Sequence, residues 1–420
     1  MGNGARSGRT VLLLVAIFLL ALNMRGTITG VGPLVPEISQ ETSYSEVVLG
    51  VLLSIPMFTW AIGSPFVHAA TVRWGLDRVL VWALVGLGVA TVLRSIALPG
   101  EAGLWIGTVL IGFSLAIANV LMPVATRRDF GPRASAVMGV NTNMLVIWAA
   151  AMSGLAVPIS LIPVGDGTLG WRGALLFTAV LLPFAIVFWL VAHRRGAALP
   201  HTAADEVPTA PPGVGKRVWT DRLAWLIAWY MGLQSIQFFI ISSWFPKVET
   251  ARGVDPAIGG VEVMLMQLVG MVATMCLPLL RRTVLARRLP GTIVIPGVLA
   301  ALGLVFLPDL TMLWMLVLGV ASGPCLAIPL VLISERSRDG ATATAVSGMV
   351  QGFGYALSGF GPIVFGWLHG LSGGWQVPMW FYVAVMVALM IVGYLIRPGR
   401  HVFDPKPGAP ASARVGAAVE

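Results

Sequence analysis

The chain has 420 residues, 57% hydrophobic and 11% charged, with a net charge of +9 and two cysteines. Average soluble domains carry about 25% charged residues, so the composition excludes a soluble enzyme built around one buried core. Two cysteines, Cys276 and Cys325, exclude a disulfide framework or a cysteine-rich metal site. The basic excess sits in short loops between apolar runs, which excludes a nucleic-acid-binding stripe and marks a membrane protein.

The apolar runs predict twelve spans, near residues 11–35, 47–70, 79–98, 103–126, 134–160, 171–193, 223–245, 257–280, 291–307, 311–333, 341–368 and 376–396. Crossing a bilayer takes about 20 apolar residues. The first run follows Arg6 and Arg9 and lacks a small-residue cleavage site, so it reads as a retained span and not a removed signal peptide. The longest polar break, 194–222, is rich in Pro, Gly and charge. It divides the chain into a first six-helix bundle (1–193), a cytoplasmic linker (194–222) and a second six-helix bundle (223–397). The Pro/Ala/Gly-rich tail, 398–420, reads as disordered and cytoplasmic. The predicted fold class is an all-α membrane protein of twelve transmembrane helices in two six-helix bundles.

Of the 27 lysines and arginines, 22 fall in the termini and in loops on one side of this topology; only Arg172, Lys247 and Arg252 fall on the other. That asymmetry predicts cytoplasmic termini. Traces of duplication link the halves. ASAVMG at 134–139 echoes ATAVSG at 343–348. Gly170-Trp171 echoes Gly374-Trp375, each Trp followed six residues later by Phe177 or Phe381. Parallel repeats of this kind are a transporter signature.

Arg25 lies inside the first span. An arginine at the centre of a membrane helix costs about 2.5–3.5 kcal/mol on insertion scales. A chain keeps one there when it faces a wet cavity, a partner or a ligand. Its guanidinium stays charged and offers a planar fork of donors, which suits a carboxylate, cyanate or nitro group. Thr29 follows one helical turn later, on the same face of a continuous helix. Gly30, Gly32, Pro33 and Pro36 predict a break in the outer half of the span.

The segment Asn23-Met-Arg25-Gly-Thr-Ile-Thr-Gly-Val-Gly-Pro33-Leu-Val-Pro36-Glu37-Ile resembles the first helix of the cyanate/2-nitroimidazole transporter family of the major facilitator superfamily. Asn119-Val-Leu-Met-Pro123 with Arg127-Arg128-Asp129-Phe130 is similar to the same family. So are Met231-Gly-Leu-Gln234-Ser and Ser347-Gly-Met-Val-Gln351-Gly-Phe-Gly-Tyr355. The resemblance runs through all twelve spans and implies two bundles rocking about a central site. The superfamily's loop between spans two and three usually reads Gly-x-x-x-Asp-Arg-x-Gly-Arg-Arg. Here the early acidic position is not matched, and Arg73-Trp-Gly-Leu-Asp77-Arg78 remains as a charge latch.

Further candidates line the predicted bundle interior. Gln234, Gln351 and Tyr355 read as pocket residues that orient a polar solute. Gln267, Asn119 and Asn143 read equally as pocket or as interhelical hydrogen bonding. Arg94, near the end of span three, reads as a snorkelling side chain, or as an anion-attracting vestibule or an outer gate paired with an acid such as Glu37. Glu262 reads as a solvated helix-end glutamate or a proton-coupling group. Arg73, Asp77, Arg128 and Asp129 are candidate gate or coupling residues. Asp129, Glu335 and Asp339 are expected to pair with Arg127, Arg128, Arg336 and Arg338. Trp60 and Trp244 read as interface or packing residues.

No nucleophile–base set, metal cluster or phosphate-binding loop is apparent, so no enzyme activity, cofactor or metal is expected. The predicted function is a monomeric secondary transporter in the plasma (inner) membrane. It moves a small anionic or polar solute, with protons as a candidate coupling ion. The alternative is an exporter of nitroimidazole or other small drug-like compounds.

Overall fold

The computed structural model describes residues 3–194, 217–283 and 288–404. Eleven helical segments are long and apolar enough to cross a membrane. The eleventh expected span, 341–368, is a further helix, Gly340–Ser372, of 33 residues. It is long enough to cross, but its many glycines dilute its apolar character. The predicted boundaries hold to within a few residues, since a bilayer-length apolar run leaves its backbone no partner but itself. Side-chain caps set the start of some helices. Asp221 accepts from the Ala224 amide (2.9 Å) and Asp339 from the Thr342 amide (2.7 Å). Asp339 therefore serves as the N-cap of its helix.

The first span is broken twice. Helix Asn3–Asn23 ends at a turn through Met24 and Arg25, Gly26–Thr29 makes one short turn, and Val35–Thr42 completes the crossing. The break foreseen at Gly30 is present, and a second lies at Arg25 itself. Span six is also interrupted, between Gly170–Phe177 and Leu182–Arg194.

Two seams join the six-helix bundles. The second span (Glu46–Trp74) packs along Gly340–Ser372, and the fifth (Ala134–Ser160) along the eighth (Pro256–Met275). The seams differ along their length. Toward the arginine-poor face the backbones nearly touch: a Cβ at Gly32 would overlap the Ser242 carbonyl, and one at Gly50 would sit 2.7 Å from the Pro362 carbonyl oxygen. Lys247 crosses there to Glu46 (3.1 Å) and Ser39 (2.9 Å). Toward the arginine-rich face, Gly348 and Gly352 look onto open space. The bundles thus pack backbone to backbone at the arginine-poor end.

The repeated Gly-Trp pairs do similar work in each bundle. Trp171 is buried, and its indole and amide donate to Glu41 (2.6 Å) and Glu37 (2.9 Å) in the last helix of the first span. Trp375 packs against Trp244 of the seventh span. Glu37 is therefore committed to Trp171 and does not pair with Arg94, as had been one expectation.

The linker expected at 194–222 lies outside the described residues from 195 to 216. The tail is described as far as Asp404 and is not loose at its start. Val402 is 1% exposed and its amide donates to the Arg336 carbonyl; the Phe403 amide donates to Asp221. The segment was read as disordered because its Pro/Ala/Gly content dominates, but one valine and one capping aspartate anchor its first residues. Its remainder, 405–420, lies outside the described residues.

Candidate substrate site

Arg25 ends the first helical stretch and stands at the N-terminal edge of Gly26–Thr29, with φ −123° and ψ −26°. The break turns its side chain toward the opposite bundle. Its guanidinium carbon lies 5.5 Å from the ring centre of Phe238 in the seventh span, over its face. Tyr355 of Gly340–Ser372 is close enough to interact with its charge. Arg25 is partly exposed, and no carboxylate lies within ion-pair distance of it among the described residues. Cation–π contact gives about 0.5–2 kcal/mol, too little to offset the loss of water around a guanidinium, so donors remain for an incoming group.

Aromatic rings close the site. Trp60 of the second span packs edge-on to Tyr355 (5.1 Å) and to Phe239 (6.3 Å), joining both bundles behind Arg25. Trp60 is buried, with its indole Nε1 unpartnered. Of the two expectations for Trp60, membrane interface or packing, the structure gives packing, at the bundle junction. Hydropathy does not say which face of a span meets protein, so its role could not be read from the chain.

Thr29 does not join Arg25. Its hydroxyl donates to the Ala149 carbonyl of the fifth span (2.9 Å) and lies near the Arg25 carbonyl (3.2 Å). The one-turn spacing argument assumes an unbroken helix, and the turn at Arg25 breaks it. Gln267 donates to Ser153 across the second seam (2.9 Å), an interbundle clasp. Gln234 is buried and donates to Ser235 (2.7 Å), and Gln237 accepts from Tyr382 (3.2 Å). Gln351 is partly exposed and donates to Ser347 one turn away (2.7 Å). Asn119 donates back to the Leu115 carbonyl (2.9 Å), and Asn119 and Asn143 are both partly exposed.

The charge latch is built differently from expectation. Arg128 forms a bidentate pair with Asp77 (2.9 and 3.0 Å) and also bonds Asp129 (2.8 Å). Arg73 lies outside this cluster, over the ring of Trp74 at 5.1 Å. Glu335 pairs with Arg281, which was not among the arginines expected for it, and Arg338 pairs with Asp404. Glu262 is 4% exposed, its Oε2 is unpartnered, and the Glu249–Arg252 pair (2.9 Å) lies nearby. It is not the solvated helix-end group that its position suggested. Arg94 is 1% exposed and does not snorkel; it donates to the Thr27 carbonyl at the break of the first span (2.8 Å).

A cation held at a seam between two helical bundles is the layout of a membrane carrier, and the family comparison agrees. The Major Facilitator Superfamily model matches residues 13–359, and the chain belongs to that superfamily. It is 29% identical over 388 residues to the 2-nitroimidazole transporter of Escherichia coli (strain K12), covering 92% of this chain and 95% of that one. It is 26% identical over 394 residues to the cyanate transport protein CynX of the same strain, covering 92% and 98%. The crystal structure of a bacterial homolog of the human lysosomal transporter Spinster shares the fold, with TM-score 0.71 at 15% identity over 94% of this chain and 98% of that one. The molecule is a multi-pass membrane transporter and not an enzyme.

Proposed function

We propose that the chain is a secondary active transporter that moves a small anionic or strongly polar solute, cyanate-like or a small organic anion, by alternating access. The carrying observation is Arg25: a charged fork with no acidic partner among the described residues, partly open, at the junction of both bundles. Bidentate donors from a guanidinium favour planar oxyanions and their isosteres. The names of the 2-nitroimidazole and cyanate relatives support a small cargo that a cation and an aromatic ring can hold. Phe238, Tyr355 and Trp60 supply the rings; Gln351 and Asn119 supply amides along the path.

In this reading the protein is a monomer in the plasma (inner) membrane, with the arginine-rich face and both termini in the cytoplasm. The tight seam at Gly32 and Lys247 is then the outer gate in its shut position. Glu262 is the candidate proton-coupling group, being a buried carboxyl with a free oxygen. A second reading, export of nitroimidazole or another flat drug-like compound, is favoured by the aromatic cluster, which can stack on a planar ring.

The test is uptake into proteoliposomes of cyanate, small carboxylates and a nitroimidazole. Arg25→Gln should abolish anion flux while protein yield and melting temperature stay unchanged. Anion flux that survives intact would remove Arg25 from recognition. Nitroimidazole flux insensitive to the same change would favour the second reading. Glu262→Gln should leave transport indifferent to an imposed pH gradient; a preserved response would clear Glu262 of coupling.

A further inference from the structure

A second buried guanidinium lies wholly inside the first bundle. Arg94 is 1% exposed, and only Nη1 is engaged, by the Thr27 carbonyl. That carbonyl is free because the break in the first span sends the Val31 amide to Ile28 instead. Nε and Nη2 of Arg94 are buried without a partner, and so is the hydroxyl of Thr27, which is 0% exposed. No carboxylate lies within ion-pair distance of Arg94 among the described residues. Thr27 and Arg94 both line one cavity of about 20 Å³, together with Pro56, Leu104 and Thr108. That volume admits one water-sized occupant. Thr108 donates its own hydroxyl to Leu104 and does not satisfy the guanidinium.

An unpaired buried cation is costly, and an apolar wall cannot relieve it. The two residues that line this space carry three buried donor groups without a partner among the described residues, and the space fits a single small ion. We propose that this cavity binds one halide-sized monovalent anion, held by Nε and Nη2 of Arg94 and the Thr27 hydroxyl. The site is separate from Arg25, because it sits between the first four spans and not at the junction of the bundles. It stands whether or not Arg25 meets the cargo. The bound ion would neutralise Arg94 and brace the break in the first span on which Arg25 is mounted.

The test uses the full chain in detergent, at constant ionic strength, with chloride or bromide exchanged against gluconate, which is too large for the cavity. Melting temperature should rise by about 2–4 °C with halide and saturate. Crystals grown in bromide should show an anomalous peak within hydrogen-bond distance of Arg94. Thr27→Val, which keeps the cavity's shape and loses one donor, should weaken the halide response about tenfold in apparent affinity. Arg25→Gln should leave that response intact. Ordered water alone at Arg94 in bromide crystals, or a halide response lost with Arg25→Gln and kept with Thr27→Val, would overturn the proposal.

Discussion

Arg25 and Arg94 are the same side chain in two settings. Both lie within membrane spans, and neither has a carboxylate within ion-pair distance among the described residues. Arg25 stands at the bundle junction, partly exposed, with Phe238 of the other bundle under its charge. Arg94 is sealed within one bundle and hydrogen-bonded to the backbone of the broken first span. The difference teaches that an intramembrane arginine is not by itself a substrate residue. What matters is whether its free donors open toward moving parts or into a fixed pocket.

Substituting each arginine should separate the two roles. Arg25→Gln is expected to cost about 2–5 kcal/mol of anion recognition, a loss of at least about 30-fold in flux, with little change in melting temperature. Arg94→Gln is expected to act on stability, since the Thr27 carbonyl would lose its donor at a cost of about 1–3 kcal/mol; thermal unfolding in detergent reads this directly. If the two variants exchanged these signatures, the contrast would fail.

The two ends of the bundle seams allow a similar contrast with smaller effects. Gly32→Ala forces a methyl against the Ser242 carbonyl, an overpacking cost of about 1–3 kcal/mol. Labelling of Ser39→Cys by an impermeant maleimide, on a Cys276→Ser background, should then rise about tenfold. Gly352→Ala meets open space and should leave labelling unchanged. Lys247→Gln removes a partly buried pair with Glu46, worth about 0.5–1 kcal/mol, so labelling should increase about two- to fivefold. Thr29→Val should change the KM for an anion by less than about twofold, because the hydroxyl is spent on Ala149; a large change would return Thr29 to the site.

Most of the fold could be read from the chain because hydropathy and loop charge are local properties. The break in the first span was also readable, from Gly30, Gly32 and the two prolines. Partnerships were harder. Thr29 was misplaced because helical spacing does not survive the turn at Arg25. Burial of Arg94 and Glu262, and the choice between interface and packing for Trp60, are not legible in the chain, because a one-dimensional profile cannot tell a lipid-facing stripe from one packed on a neighbour. The Arg128–Asp77 pair links residues far apart in the chain, and only the folded bundle brings them together. Phe238 stood beside Gln234 and Gln237 in the sequence, yet it is the ring, and not either amide, that meets the charge of Arg25.

The docked segment His401–Asp404 has a practical consequence. Its valine and backbone tie the loop entering the seventh span to the end of the tenth, so the last crossing does not mark where the working polypeptide stops. Affinity handles or fluorescent fusions should be attached beyond Asp404; joining them directly after Ile396 would strip Asp221 and Arg336 of their contacts and unfasten one corner of the second bundle.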